Sequence, residues 1–283
     1  MELKNKEFEN VVFVNWNDEN KNVFIADRIG IDTERVFLNG ETDKRIVASK
    51  YMPLSRFVNA VQCKKFTFLS PLLWLDPFET LLYKPYVQIN QVNYHVNACC
   101  FAGNDIQNEE GFWNIWGSGS NEPIVRVTYD MSKLLRALST QANGDIAFYL
   151  GAIKYLTRHE ILQKSKKSSN KTYSSISDYL SDCLLKRDAY SYEIELRLFA
   201  VTCGGRGKDI LDIDEIDYTT GIVTDVTLPP LEPLGNSHPS LCMYKCMQDC
   251  VNLNVKQKIE RLNLSCDIKQ SALYCTDIVA RSY

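Results

Sequence analysis

Hydrophobic and polar positions alternate most clearly between Tyr192 and Phe199. At period two, Tyr192, Ile194, Leu196 and Leu198 fall on one face and Glu193, Glu195 and Arg197 on the other. Successive side chains of a strand point to opposite faces, so this pattern predicts a strand over 192–201 with one buried apolar side. A glycine-rich turn, Cys203-Gly204-Gly205-Arg206-Gly207, closes it. Alternation or short apolar runs predict further strands at 66–69, 92–101, 124–130, 147–156 and 222–228, and one within 262–274. Helical spacing of Leu54, Phe57, Val58 and Val61 predicts a helix over 53–62. Similar spacing predicts helices over 131–138 and 176–185, and Lys186-Arg187 suits the negative C-terminal end of the latter. The Lys- and Ser-rich stretch 164–171 reads as a solvated loop. Before residue 46 the pattern is short and β-rich: apolar runs 11–14 and 23–26 suggest a hairpin, and Asn39-Gly40 is a turn signal. These elements predict one α+β domain over 46–283, with a central, mostly antiparallel sheet flanked by short helices, preceded by a β-rich extension over 1–45.

Composition narrows the function classes. With 283 residues, 45% apolar and 24% charged, the chain has ordinary globular character and enough length for a sizeable core. A formal charge of -3 gives no electrostatic signature of nucleic-acid binding. The most apolar stretch, 66–83, is broken by Pro71, Asp76, Pro77 and Glu79, which excludes it as a membrane span. Ten cysteines without a secretory leader read as reduced, cytoplasmic thiols.

Candidate chemistry centres on Glu193 and Glu195. Two positions apart on a strand, their Cβ atoms would stand about 6.5–7 Å apart. With Arg197 next in line, such a pair suits acid/base work or stabilisation of an oxocarbenium, or is simply a charged, solvated strand face. Phe112, Trp113 and Trp116 crowd five residues, as a stacking wall for a planar ligand or as a core cluster. The Gly204–Gly207 turn lacks the spacing and the Lys-Ser/Thr of nucleotide loops. His238, Cys242, Cys246 and Cys250 recur every four residues; on a helix members eight positions apart stand about 12 Å apart along the axis, so the four cannot share one zinc. That series predicts a helix with its thiols facing the core. Only three histidines exist, and no nucleophile elbow accompanies them.

The order of several motifs resembles the bacterial family termed domain of unknown function (DUF) 2971. The matching stretches are Lys50-Tyr51, Leu75-Asp76-Pro77-Phe78-Glu79, Cys100-Phe101-Ala102, Trp113-Asn114-Ile115-Trp116-Gly117, and Lys186 through Glu193, Glu195 and Arg197. Leu75, Ile115 and Trp116 depart from the family's Asn, His and Tyr. The layout is also similar to that of ADP-ribosyltransferases. That likeness implies NAD as substrate and a protein or nucleic acid as acceptor, in a toxin or phage-defence setting. It implies Glu195 as the catalytic carboxylate and Glu193 as the acceptor-side one. Trp113 or Trp116 would stack on nicotinamide, Lys50 or Arg197 would meet phosphate, and Tyr51 would line the pocket. Two other readings stand beside it: a non-catalytic binding protein with a degenerate cleft, and a metal-dependent nucleic-acid hydrolase using Asp76, Glu79, Glu193 and Glu195.

Overall fold

The computed structural model describes residues 36–38 and 47–273, except 75, 85, 104–108, 118–121, 142–145, 169–170, 205–206 and 231–238. The strands are β1 (Val36–Leu38), β2 (Val47–Pro53), β3 (Phe66–Leu69), β4 (Tyr86–Ile89), β5 (Val92–Gly103), β6 (Ile124–Asp130), β7 (Ile146–Ala152), β8 (Lys154–Leu156), β9 (Leu185–Arg187), β10 (Glu195–Cys203), β11 (Ile210–Ile213), β12 (Val223–Leu228) and β13 (Asp267–Gln270). The helices are α1 (Leu54–Gln62), α2 (Pro77–Thr80), α3 (Glu109–Gly117), α4 (Met131–Gln141), α5 (Arg158–Ser168), α6 (Ile176–Asp182) and α7 (Pro239–Glu260).

Among the described residues, eleven strands form one mixed sheet, its long axis ordered β1-β7-β10-β5-β2-β6-β12-β13, with β4, β3 and β11 along the side. Only β1–β7 and β12–β13 pair in parallel within it, so the sheet is mostly antiparallel, as the sequence predicts. β8 and β9 make a separate parallel pair. β1, from within the first 45 residues, joins the main sheet at its end. The predicted hairpin over 11–26 and the Asn39-Gly40 turn lie outside the described residues.

The pleat divides the core. Cys99 and Phe101 on β5 and Leu198 and Ala200 on β10 face α1, α4 and the end of α7. Val96 and Ala98 on β5 and Phe199 and Val201 on β10 face the opposite way, against α5 and α6. Further along that second face, Tyr51, Ala102 and Ile124 pack with Phe112 and Trp113 of α3. The sheet is therefore buried on both sides, which explains the near-continuous apolar runs of β5, β7 and β10.

Four expectations change. The predicted strand 192–201 begins at Glu195, because residues 188–193 form a 3-10 turn and Ile194 takes a left-handed conformation with φ 45°. The basic stretch from 164 is the second half of α5 rather than a loop, with Thr157 and Glu160 bonding reciprocally at its start. Lys186 and Arg187 lie in β9 rather than at a helix end. Along α7, Cys250 is exposed rather than facing the core; His238 and the side chains of Cys242 and Cys246 lie outside the described residues.

Candidate active site around Glu193

The sheet pleat decides which candidates can meet. Glu195 pairs with Ala102, Arg197 with Cys100 and Ser49 with Ala102, so these residues share one face of the sheet. Tyr51, two residues after Ser49, shares it too. Lys50 points the other way, with Nζ 2.8 Å from Cys99 Sγ and 5.8 Å from the Phe101 ring. Adjacent residues within β2 point to opposite faces of the sheet, which separates Lys50 from Glu195 and Tyr51.

On the shared face, Glu195 and Arg197 are 3% and 0% exposed. Their alternation with apolar residues marks a buried ionic network, not a solvated strand face. Arg197 donates from Nε and Nη2 to Glu195 Oε1 at 2.9 and 2.7 Å, and from Nη2 to Glu79 Oε1 at 2.9 Å. Nη1 donates to Cys183 O at 2.9 Å and to the Tyr83 hydroxyl. All five guanidinium hydrogens are thus engaged inside the protein, and Cζ sits 4.2 Å over Trp74. The expected phosphate contact from Arg197 has no donor left to make it.

Lys186 reaches the other side of the same carboxylates. Its Nζ lies 2.7 Å from Glu195 Oε2, 2.6 Å from Glu193 Oε2 and 3.8 Å from Glu79 Oε1. The β8–β9 pairing sets Lys186 opposite Tyr155, whose hydroxyl accepts the Glu195 N–H at 2.9 Å. Glu193 sits just before the Ile194 corner, so it approaches Lys186 from the rim. The corner itself packs on Gly103: Gly103 N–H donates to Ile194 O at 3.0 Å, and a Cβ on Gly103 would stand 2.7 Å from that oxygen. Only glycine permits that approach.

Three carboxylates therefore share two cations, and their acidities separate. Burial alone would raise the Glu195 carboxyl, but Arg197, Lys186 and the Cys100 thiol hold it down to about 2. Burial pushes Glu193 up to about 7; Lys186 opposes this and Glu195 adds to it. Glu79 is raised as well, chiefly by burial. The carboxylates that a metal-dependent hydrolase would need do converge in part, yet Lys186 Nζ stands where they meet, and Asp76 is paired with Arg187 at 3.2 Å. Among the described residues, no group of three or more His, Cys, Asp or Glu is arranged around an ion site.

The aromatic residues lie alongside. Tyr51 stacks on Phe112 with centroids 5.1 Å apart and meets Trp113 edge-on at 4.9 Å. Trp113 is buried, and its indole N–H donates to Glu109 Oε1 at 3.1 Å. These three rings are a core cluster rather than an open stacking wall. Trp116 lies in α3, its side chain outside the described residues. Tyr192 is a partly exposed ring, 6.0 Å from Phe112 and adjacent to Glu193 in the chain. Two open grooves lie elsewhere. One of about 650 Å³ runs between α1 and α7, and one of about 480 Å³ is lined by Tyr86, His95 and Asn97; neither is lined by Glu193 or Glu195.

Several participants escape the strand pattern: Glu79, Lys186, Arg187, Tyr83 and Trp74. The signal for the first three was the motif order. Asp76 caps α2 through Phe78 N–H at 3.0 Å and clamps Arg187, while Glu79 meets Arg197. The Asp-Pro-Phe-Glu and Glu-x-Glu-x-Arg stretches are thus two halves of one network.

No model of a known protein family matches the chain, and no curated protein matches it either. Two solved structures of the Thermus sp. 2.9 DarT resemble it at 7% identity. One, in complex with NAD+, covers 81% of this chain and 98% of its own with a TM-score of 0.35. The other, in complex with ADP-ribosylated single-stranded DNA, covers 80% and 94% with a TM-score of 0.33. Likeness at this level assigns neither activity nor ligand.

Proposed function

We propose that the chain is an ADP-ribosyltransferase-like enzyme that takes NAD as substrate, with Glu193 as its acid/base group. One observation carries the reading: a carboxylate at the rim of a buried ionic network, with acidity near neutrality, beside the partly exposed ring of Tyr192. Carboxylates whose surroundings drive their acidities apart divide naturally into one that stays ionised and one that moves a proton. Here Glu195 stays ionised and Glu193 exchanges.

In this scheme nicotinamide packs on Tyr192 and departs with the electrons of its bond to ribose. The acceptor nucleophile forms the new bond to the same ribose carbon, and its proton passes to Glu193. Lys186, 2.6 Å from Glu193, holds that carboxylate in place, while Glu195 positions Lys186 rather than touching substrate. Trp113 and Tyr51 act through packing, and Arg197 through its ion pairs with Glu195 and Glu79. The acceptor is a protein or a nucleic acid.

A second reading is favoured by the complete internal satisfaction of Arg197. A network so closed can serve folding alone, in a binding protein without turnover. Nicotinamide release from NAD separates the two. Wild type should release nicotinamide with cell lysate as acceptor, and Glu193→Gln, which keeps shape but cannot exchange the proton, should lower the rate about 10²–10⁴-fold. Folded wild type that neither binds NAD nor releases nicotinamide leaves the binding protein standing.

A further inference from the structure

With Lys50 on the far face and Arg197 fully engaged, the cations expected to meet phosphate are out of reach. A different pair meets at the Phe78 ring, one member of it linked to Glu193 through Tyr190 and Lys186. Arg187 lays its guanidinium 4.4 Å over the Phe78 ring, and Arg158, the first residue of α5, lays its own 5.3 Å from the same ring. Laid end to end, those distances keep the two Cζ atoms within about 10 Å of each other. Two like charges on one phenyl ring repel, and an anion between them relieves the repulsion.

Donors remain for that anion. Arg187 spends Nε and Nη2 on Asp76 and the Tyr190 hydroxyl, so Nη1 has no partner among the described residues. Arg158 is exposed, and its guanidinium makes no hydrogen bond among the described residues. Glu160, two residues on, turns to Thr157 N–H and Oγ1 at 2.8 and 2.7 Å instead. Asp76 balances one charge of the pair and leaves the other. The track continues to the proposed reaction centre: Tyr190 carries Arg187 at 5.1 Å on its ring and Lys186 at 4.8 Å, and Lys186 holds Glu193.

We propose that Arg158 and Arg187, both stacked on Phe78, form an anion subsite that takes the diphosphate of a dinucleotide substrate. The proposal rests on the NAD reading above. Arg158 keeps its whole planar fork for bidentate contact with phosphate oxygens, which a lysine in the same place does not offer, and Arg187 adds the hydrogens of Nη1. A diphosphate offers two phosphoryl groups, one for each arginine.

The test is calorimetric titration with inorganic pyrophosphate, alongside the KM for NAD. Arg158 is the residue to change, because its exposed side chain contributes little to folding, and thermal melting checks each variant. Wild type should bind pyrophosphate. Arg158→Ala should weaken that binding about tenfold and raise the KM for NAD by a similar factor, and Arg158→Lys should recover only part of either. Equal pyrophosphate affinity in wild type and Arg158→Ala, or no binding by wild type, overturns the subsite whatever the NAD result. Arg158-dependent pyrophosphate binding without NAD turnover keeps the subsite and removes the transferase reading.

Discussion

Replacing Arg197 by methionine removes the centre of the buried network while roughly keeping its volume. Glu195 loses two charge-assisted bonds, Glu79 loses one, and Cys183 O and the Tyr83 hydroxyl each lose a donor. Glu195, at 3% exposure, is left with Lys186 and the Cys100 thiol against the repulsion of Glu79 and Glu193. Removing one partner of a buried ion pair typically costs about 3–5 kcal/mol, far more than the net worth of the pair, because the other charge stays buried. For a chain of 283 residues that corresponds to a fall of about 5–8 °C in Tm. Arg197→Lys should lie between, since it restores the charge but not the planar fork. The loss in Arg197→Met should also shrink on acidification, as the stranded carboxylates take up protons. Urea unfolding followed by circular dichroism at pH 8 and pH 5 measures all three. A loss under about 1 kcal/mol at pH 8 would mean that the buried carboxylates do not depend on this guanidinium, and the network reasoning would fail.

Two further outcomes follow from the same geometry. Gly103→Ala should cost about 1–3 kcal/mol, because its Cβ meets the Ile194 carbonyl, a backbone atom that cannot swing aside; it should also disturb Glu193, so melting and nicotinamide release should fall together. The second concerns pH. Folding raises the Glu193 pKa from the ordinary 4.5 to about 7, so the folded state holds this proton more tightly and loses stability as pH climbs between those values, levelling above. Glu193→Gln removes the dependence, so the unfolding free energy of wild type minus that of Glu193→Gln should fall by about 2–3 kcal/mol from pH 5 to pH 8. Glu195 has the opposite sign: its stabilisation is present above 4.5 and is lost as pH falls toward 2.

The strands were legible because apolar residues run almost unbroken through segments buried on both faces of the sheet. The predicted runs at 66–69, 92–101, 124–130 and 222–228 all fall on strands. The start of β10 was not legible, since nothing in Tyr192-Glu193-Ile194 announces a left-handed residue; a β-branched side chain at φ 45° is strained and held by its surroundings. Nor was the burial of Glu195 and Arg197. Charges alternating on a strand read as solvated unless another segment supplies the counter-charge, and Glu79 lies 118 residues from Arg197. The separation of Lys50 from Tyr51 was available in principle, because adjacent strand residues face opposite ways. The helical course of 158–168 was masked by its Lys and Ser content, although Leu162, Gln163 and Lys164 are good helix formers behind a capping box. Strand order, which brings Glu79, Lys186, Glu193, Glu195 and Arg197 together, depends on pairings far apart in the chain.

The most direct test of the account is an NMR titration of the glutamate carboxyl carbons, with Glu193 assigned by Glu193→Gln. The account predicts a Glu193 step near pH 7. In Lys186→Met that step should move higher, since the lysine charge holds it down, while Glu195 remains ionised to low pH in wild type. A Glu193 step at the ordinary carboxylate value, unmoved by Lys186→Met, would contradict the central claim that this network prepares Glu193 to exchange a proton at neutral pH.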